Sequence, residues 1–478
     1  MNAIVSRRIL GSSISDTPEY FRYPDEIRDR FVATDDIEFR DGSRVTATEI
    51  WDYLTTVGPV KFPNLYDLSS LYGNRLSQDV TLPTTLKHNY LLMTMHDRMT
   101  RARAQGHPIV FVQGGQSVDP YYAAGAIALR PASTGIWARR QREGLSRNQE
   151  ELEGRADKQK AYNAISFEVC NSAGYEHIQE GTVPADMVAP FTALRCSDVS
   201  YGTEAHRHGP RAKEVKLLLV DYPLDHQKDK DWSIRYFADN LRRLTRNIDE
   251  LTGRTTTEDD LAREIKLHNE GRRLSIELAD LWWSADQPPT NGKDRRDLFQ
   301  LGGMELHGDP VASLSILREA RRVIEQRVKD RHLAKGVQKD AARLFVCGSC
   351  VFPNDYRTEE AGGIIVGNDN HWSDITTLVD ESGEPYHELA RAVLSYPYEQ
   401  PLKDRARWTV EQIKKSRTDG VLFLYKWGCN TQSAIARLLV DEIKAQTGIH
   451  TIIIEDDMTR TQTEQLQNRV NAFIEMVS

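Results

Sequence analysis

Short apolar runs alternate with stretches of helical period, most clearly near the C-terminal end of the chain. Val421-Leu422-Phe423-Leu424-Tyr425 is an unbroken run of strand formers, as expected of a strand covered on both faces. Gly428 ends it and Cys429 follows. From Thr431 the apolar residues fall at helical spacing, with Ile435, Leu438, Leu439 and Ile443 on one stripe. Gly448 stands where a C-cap glycine belongs. Thr451–Ile454 is a second buried strand, closed by Glu455-Asp456-Asp457. Strand, helix and strand make one parallel α/β unit. Cys429 lies at the carboxyl end of its first strand, where open α/β sheets place ligands.

The same rhythm divides the rest of the chain. Residues 1–105 are mixed: Ala47–Leu54 and Leu86–Met99 read as helical, and Pro59, Pro63 and Pro83 interrupt the span between them. They are expected to form an N-terminal extension packed on a first α/β domain, residues 106–225. In that domain Ile109–Val112 is a strand, a helix starts at about Asp119, and Ala164–Val169 is a strand ending at Cys170. Asp186–Ala193 contains another strand, ending at Cys196, and Lys216–Val220 is a fourth. Residues 139–160 are almost wholly polar and read as surface. Residues 226–340 form a helical connecting segment that braces two α/β domains. Thr257 with Glu258, Asp259 and Asp260 gives it a strong N-cap and acidic first turn, followed by a stripe of Leu261, Ile265, Leu274, Leu278 and Leu281. Trp232, Trp282 and Trp283 are expected to pack this layer. The second α/β domain spans 341–478, with strands at Leu344–Val346, ending at Cys347, and at Gly363–Val366.

Composition narrows the classes of function. The chain has 478 residues, 28% charged and 39% hydrophobic, which is long enough for several cores of a water-soluble protein. Its formal charge is −8, from 62 basic and 70 acidic residues, with no long basic run, so nucleic acid is not the expected partner. Apolar runs are strand-sized, so no membrane span is expected, and the N-terminus lacks a signal-peptide core. The cytoplasm is the expected compartment. Five cysteines are too few for a disulfide scaffold. No phosphate-binding loop of the Walker type and no GxGxxG after a strand occur, so ATP chemistry, if used, belongs to another chain.

Cys170, Cys196 and Cys429 each follow a strand. Parallel strands bring their carboxyl ends to one edge, so cysteines far apart in sequence can meet there. Three thiolates can hold an iron–sulfur cluster with one iron left open; three small buried core residues are the other reading. Cys347-Gly348-Ser349-Cys350 is either a redox dithiol, a pair of metal ligands or, as its loop-like sequel favours, a tight turn at a strand end. His371 and Trp372 follow a strand end. His177, His206 and His208 lack metal-protease spacing and read as solvated. Tyr121 and Tyr122 read as packing, although one hydroxyl can reach a cleft.

Four stretches together resemble the 2-hydroxyacyl-CoA dehydratase and benzoyl-CoA reductase superfamily, in particular 2-hydroxyglutaryl-CoA dehydratase-like subunits. They are YYAAGAIALRP at 121–131, the spacing of Cys170 and Cys196, TTEDDLAREIKLHNEGRRL at 256–274, and DGVLFLYKWGC with GIHTIIIEDD in the last unit. The resemblance covers about residues 106–478. It implies two flavodoxin-like parallel-sheet domains with a cleft between them, and a 4Fe–4S cluster there held by Cys170, Cys196 and Cys429. It implies a homologous partner subunit in a heterodimer and an ATP-hydrolysing iron–sulfur activator that delivers one low-potential electron. It also implies an acyl-CoA or related small-molecule substrate, converted to a thioester ketyl radical. That radical expels a 2-hydroxyl group or, in the reductase branch, starts dearomatising an aryl ring. A metal-free subunit supporting a catalytic homologue is the third reading. The residues flanking Cys170 (VCNSAGYEH) and Cys429 (KWGCNTQSA) differ from common dehydratase versions and leave the substrate open. No acid–base residue is identified.

Overall fold

The computed structural model describes residues 20–66, 79–112, 116–129, 185–189, 214–223, 229–303, 308–348, 353–369, 376–426, 428–456 and 460–478. After short helical turns at residues 25–32 comes a two-stranded ribbon, β1 (Ile37–Glu38) and β2 (Arg44–Val45), and then, with further helical turns at residues 53–66 between them, helices α1 (Ala47–Asp52) and α2 (Pro83–Ala104). β3 (Ile109–Phe111), α3 (Asp119–Ala123), β4 (Ile127–Leu129), β5 (Met187–Val188) and β6 (Lys216–Leu217) follow. A helical run comprises α4 (Asp231–Thr252), α5 (Glu258–Ser284), α6 (Gly292–Gly303) and α7 (Pro310–Lys329). The last part contains β7 (Ala342–Gly348), α8 (Asp355–Glu360), β8 (Gly363–Asn368), α9 (Pro385–Leu394), α10 (Leu402–Lys415), β9 (Gly420–Lys426), α11 (Asn430–Thr447), β10 (His450–Asp456) and α12 (Arg460–Val477).

Two four-stranded sheets result, both parallel throughout. The first runs β4-β3-β5-β6 and the second β10-β9-β7-β8. Numbered by chain order, the first sheet reads 2-1-3-4, the flavodoxin-like order, and the second, read from its β8 edge, has the same order 2-1-3-4. The connections therefore reverse direction between β3 and β5 in one sheet and between β7 and β9 in the other. At such a switch point an open sheet leaves a crevice at its carboxyl edge.

The strand pattern explains the layering of the second sheet. In β9, Leu422 and Leu424 join Leu344, Val346, Val470, Phe473 and Ile474 in a core under α12. Val421 and Phe423 point the other way, into a core with Phe345, Cys347, Val410, Leu439 and Ile443 from α10 and α11. The period of two thus splits one apolar run between two helical layers, and none of the four residues retains exposed surface. β10 lies at the sheet edge, so its Ile452 and Ile453 are only half-buried where two-sided burial was expected. On α11 the buried stripe is Gln432, Ala436, Leu439, Val440 and Ile443; Leu438, expected inside, is 57% exposed.

The helical run does brace the molecule. Thr257 and Asp260 close the expected capping box: Thr257 Oγ1 accepts from the Asp260 N–H at 3.2 Å, and Asp260 Oδ2 accepts from the Thr257 N–H at 2.8 Å. α5 begins against the first sheet through Leu261 and Ile265. It ends in a different core through Leu278, Trp282 and Trp283, whose indole N–H bonds the Val366 carbonyl of β8 at 2.9 Å. That second core holds the N-terminal residues Phe31, Ile50, Trp51 and Leu54 together with α7 and with Ile364 and Val366 of β8. The N-terminal region therefore packs on the helical segment and the edge of the second sheet, and through Met95 and Met99 of α2 it also joins the core of the first sheet, where packing on the first α/β domain was expected. Trp232 also differs from expectation: it is 50% exposed, because the inner stripe of α4 is Ile234, Phe237, Leu241, Leu244 and Ile248. The residues read as one helix from Asp119 divide into the short α3 and the strand β4, with Gly125 at φ +79° making the break. Among the described residues no helix is long and apolar enough to cross a membrane.

Candidate functional site

At the switch point of the second sheet, β9 ends at Lys426 and Gly428 turns the chain at φ +77°. The Cys429 N–H returns to the Lys426 carbonyl at 2.9 Å, and the Cys429 carbonyl accepts the first helical bond from the Ser433 N–H at 3.0 Å. Cys429 is therefore the N-cap residue of α11, although its side chain makes no capping hydrogen bond. This half-buried residue sits at the positive end of an 18-residue helix, where negative charge is favoured.

β7, next to β9, closes the other side of the switch point. Cys347 pairs in register with Phe423 and is sealed in the α10–α11 core. Burial pushes its thiol well above the ordinary range, and the nearby Asp369 carboxylate, to which it is hydrogen-bonded, adds to the shift. Cys347 is thus a core thiol whose burial favours its neutral form; Ser349 and Cys350, which complete the C-G-S-C run, lie outside the described residues. Gly348 follows at φ +107°, and a Cβ there would collide with the Leu424 carbonyl oxygen, so only glycine lets β7 leave the sheet at this point.

Sequence reasoning missed the polar group beneath these turns. Asp369, just past β8, accepts the Gly348 N–H at 3.0 Å and both Nε and Nη2 of Arg405, at 2.9 and 2.6 Å. Arg405 Nη1 donates to Gln432 Oε1 at 3.1 Å, and the Arg405 guanidinium stacks 4.3 Å from the Tyr398 ring centre. Asp369, Arg405 and Gln432 are all buried. Burial raises the Asp369 carboxyl and Arg405 opposes that rise; three short bonds to one carboxylate hold the pair ionised. The run Gly367-Asn368-Asp369 marked a strand end, but nothing in the residues around Arg405 pointed to its partner.

The carboxyl edge of the first sheet carries a comparable pair. Arg272 Nη2 donates to Asp119 Oδ2 at 2.7 Å, and His268 Nδ1 lies 3.3 Å from Asp119 Oδ1. Burial would raise the Asp119 carboxyl, but Arg272 and His268 overcome it and hold it far below the usual range. Gln116 Nε2 donates to the Ala189 carbonyl at 3.1 Å, tying the exit of β3 to that of β5. The Tyr121 hydroxyl donates to Gln116 Oε1 at 2.9 Å, and Tyr122 packs against His268, so both rings serve packing.

Cys170, Cys196, Cys350, His177, His206, His208, His371 and Trp372 lie outside the described residues, as does the strand expected at Ala164–Val169. Of the three cysteines read as cluster ligands, the structure thus describes Cys429 alone. Among the described residues no group of three or more His, Cys, Asp and Glu side chains could hold a metal ion. The chemistry at Cys429 fits one thiolate ligand: a half-buried cysteine at a strand end, on a helix N-terminus.

The family model for the D-component of 2-hydroxyglutaryl-CoA dehydratase matches residues 157–477, well over half of the chain. A protein of Escherichia coli (strain K12) named "Putative dehydratase subunit YjiM" is 26% identical over 246 residues, covering 50% of this chain and 62% of the relative. A subunit of the benzoyl-CoA reductase of Thauera aromatica is 24% identical over 247 residues, covering 47% of this chain and 58% of the relative. The chain thus spans less than two thirds of the length of the curated relatives it matches. Both parallel sheets and the matched span lead to one conclusion: the chain belongs to the 2-hydroxyglutaryl-CoA dehydratase D-component family.

Proposed function

We propose that the chain is part of an iron–sulfur enzyme of the 2-hydroxyacyl-CoA dehydratase type, eliminating water from a 2-hydroxyacyl thioester with one low-potential electron from an ATP-dependent activator. Cys170, Cys196 and Cys429 hold a 4Fe–4S cluster in a cleft between the α/β domains at 106–225 and 341–478. A homologous partner chain makes up the rest of the enzyme in the cytoplasm. The observation that carries this reading is the placement of Cys429 at the switch point of a flavodoxin-like sheet, inside the span matched by the family model. When bound, the cluster would supply a one-electron path and an iron with an open position.

The chain's own residues supply position and exclusion. Gly428 and the first turn of α11 hold Cys429 at the sheet edge. Gly348 lets β7 turn away beside it, and Cys347 is buried in the core under α10 and α11. The relative named as part of a benzoyl-CoA reductase supports a second reading, reduction of an aromatic thioester.

The test is turnover by the anaerobically purified protein, with its partner, activator and ATP, offered 2-hydroxyglutaryl-CoA or benzoyl-CoA. Loss of water from the hydroxyacyl thioester is the expected result. Addition of two hydrogens to the aryl ring would establish the reductase reading instead, and no conversion of either by an iron-loaded complex would overturn both.

A further inference from the structure

We infer that the buried Asp369–Arg405–Gln432 network is a positioning device that fixes the Cys429 turn against the exits of β7 and β8. The inference rests on the reading of Cys429 as a functional thiolate, and it concerns residues to which that reading assigns no role.

The network joins what the backbone leaves separate. β8, β7 and β9 lie side by side, and three segments leave their carboxyl ends. Asp369 belongs to the exit of β8 and takes the Gly348 N–H from the exit of β7. Arg405, in the first turn of α10, grips Asp369 through two N–H groups and reaches across to Gln432 through a third. Gln432 is the third residue after Cys429, in the first turn of α11. In a capping box, a residue at this place would bond back to the N-cap N–H. Here the Gln432 side-chain oxygen Oε1 is held sideways by Arg405, while the Cys429 N–H is satisfied by the Lys426 carbonyl. Register at Cys429 is therefore set by a guanidinium anchored to two other strand exits.

The energetics argue that the network is not there for stability. Removing two charges from water costs several kcal/mol per ion, and well-packed apolar replacements are often neutral or stabilising. Much of the surrounding face is apolar, with Phe345, Cys347, Ala406, Val410 and Phe423. What an apolar replacement could not supply is direction, since the planar guanidinium fixes two partners in one plane.

The test uses the full chain and two readouts besides turnover. One is the rate at which iodoacetamide alkylates Cys429 in the metal-free protein, followed on the Cys429 peptide by mass spectrometry. The other is the EPR line shape of the loaded, reduced protein. Gln432→Leu removes the tether and leaves the ion pair intact. The double variant Arg405→Met with Asp369→Asn removes both charges at similar volume, and Arg405→Lys keeps charge without the fork. A lost hydrogen bond of about 1–1.5 kcal/mol corresponds to a roughly five- to tenfold faster alkylation in Gln432→Leu, with a broadened or shifted EPR signal. Arg405→Lys and the double variant should fall on the same side, and melting temperatures should stay close to that of the parent. Alkylation within about twofold of the parent in the folded variants, against the five- to tenfold expected for one lost tether, would overturn the inference. If the protein holds no iron, or keeps its iron in Cys429→Ser, the functional reading fails. The alkylation rates still decide whether the network positions the turn.

Discussion

At the scale of single residues, the switch point is built from side chains whose types leave little choice. Gly348 combines a left-handed backbone with a neighbour's carbonyl oxygen where a Cβ would stand. Gly348→Ala is therefore expected to cost on the order of 2–4 kcal/mol, measured by denaturant unfolding, because neither the φ angle nor the Leu424 backbone can give way. A second residue-scale expectation concerns Glu359 of α8. It is buried, accepts the Gly292 N–H at 2.6 Å, and is pushed up from the ordinary 4.5 to about 8 by burial, with Asp355 and Asp294 adding to the shift. Nearby Asp294 is raised to about 7, also by burial. A carboxyl with a raised folded pKa binds its proton more tightly folded than unfolded. Its contribution is complete below the unfolded value near 4.5 and is lost as pH rises toward about 8. Glu359→Gln should therefore melt a few degrees higher than the parent above pH 8 and lose that advantage near pH 5. A parallel pair of melting curves across that range would contradict this. In the sequence, Cys429 was legible because a glycine and a strand end frame it. Arg405 and Asp369 were not, because a buried ion pair between residues 36 positions apart leaves no local pattern.

At the scale of elements, legibility followed burial. β9 and α5 read correctly because two-sided burial and a capping box each impose a strong local signature. α11 read correctly in extent, with its Gly448 C-cap at φ +71°, but Leu438, one of its assigned inner residues, faces solvent. The error has a simple cause: the inward arc is set by Gln432, Ala436, Leu439, Val440 and Ile443, and at about 100° per residue Leu438 falls outside it. Leu438→Ser should change stability by less than about 0.5 kcal/mol, whereas Leu439→Ala should cost about 2–4 kcal/mol. Equal effects on the unfolding midpoint would mean that α11 is rotated. The division of residues 119–129 into α3 and β4 was harder to see. Tyr121 to Leu129 is apolar throughout apart from Gly125, and such a run does not by itself separate a buried helix from a strand.

For the whole molecule, the long helices decide how the parts cohere. α2 contributes Leu86, Leu91 and Met93 to the core beneath the N-terminal region, and Met95 and Met99 to the core of the first sheet. α5 spans the same two cores. α9, between β8 and β9 in sequence, packs on α4 instead of the second sheet, and the Tyr386 hydroxyl lies 3.1 Å from Thr245 Oγ1. The chain thus crosses between cores several times, which no single stretch of sequence announces. Calorimetry of the metal-free protein should accordingly give one principal unfolding transition, since opening either core strips α2 and α5 of half their packing. Two well-separated transitions would show that the shared helices carry little coupling.

Iron and sulfide content after strictly anaerobic purification, compared between the parent and Cys429→Ser with melting curves run alongside, tests the role of Cys429 most directly. About four iron atoms and a matching amount of sulfide per chain are expected in the parent, and a folded variant should lose most of both. Iron retained in full by Cys429→Ser, or a colourless parent free of iron, would contradict a cluster at this strand end.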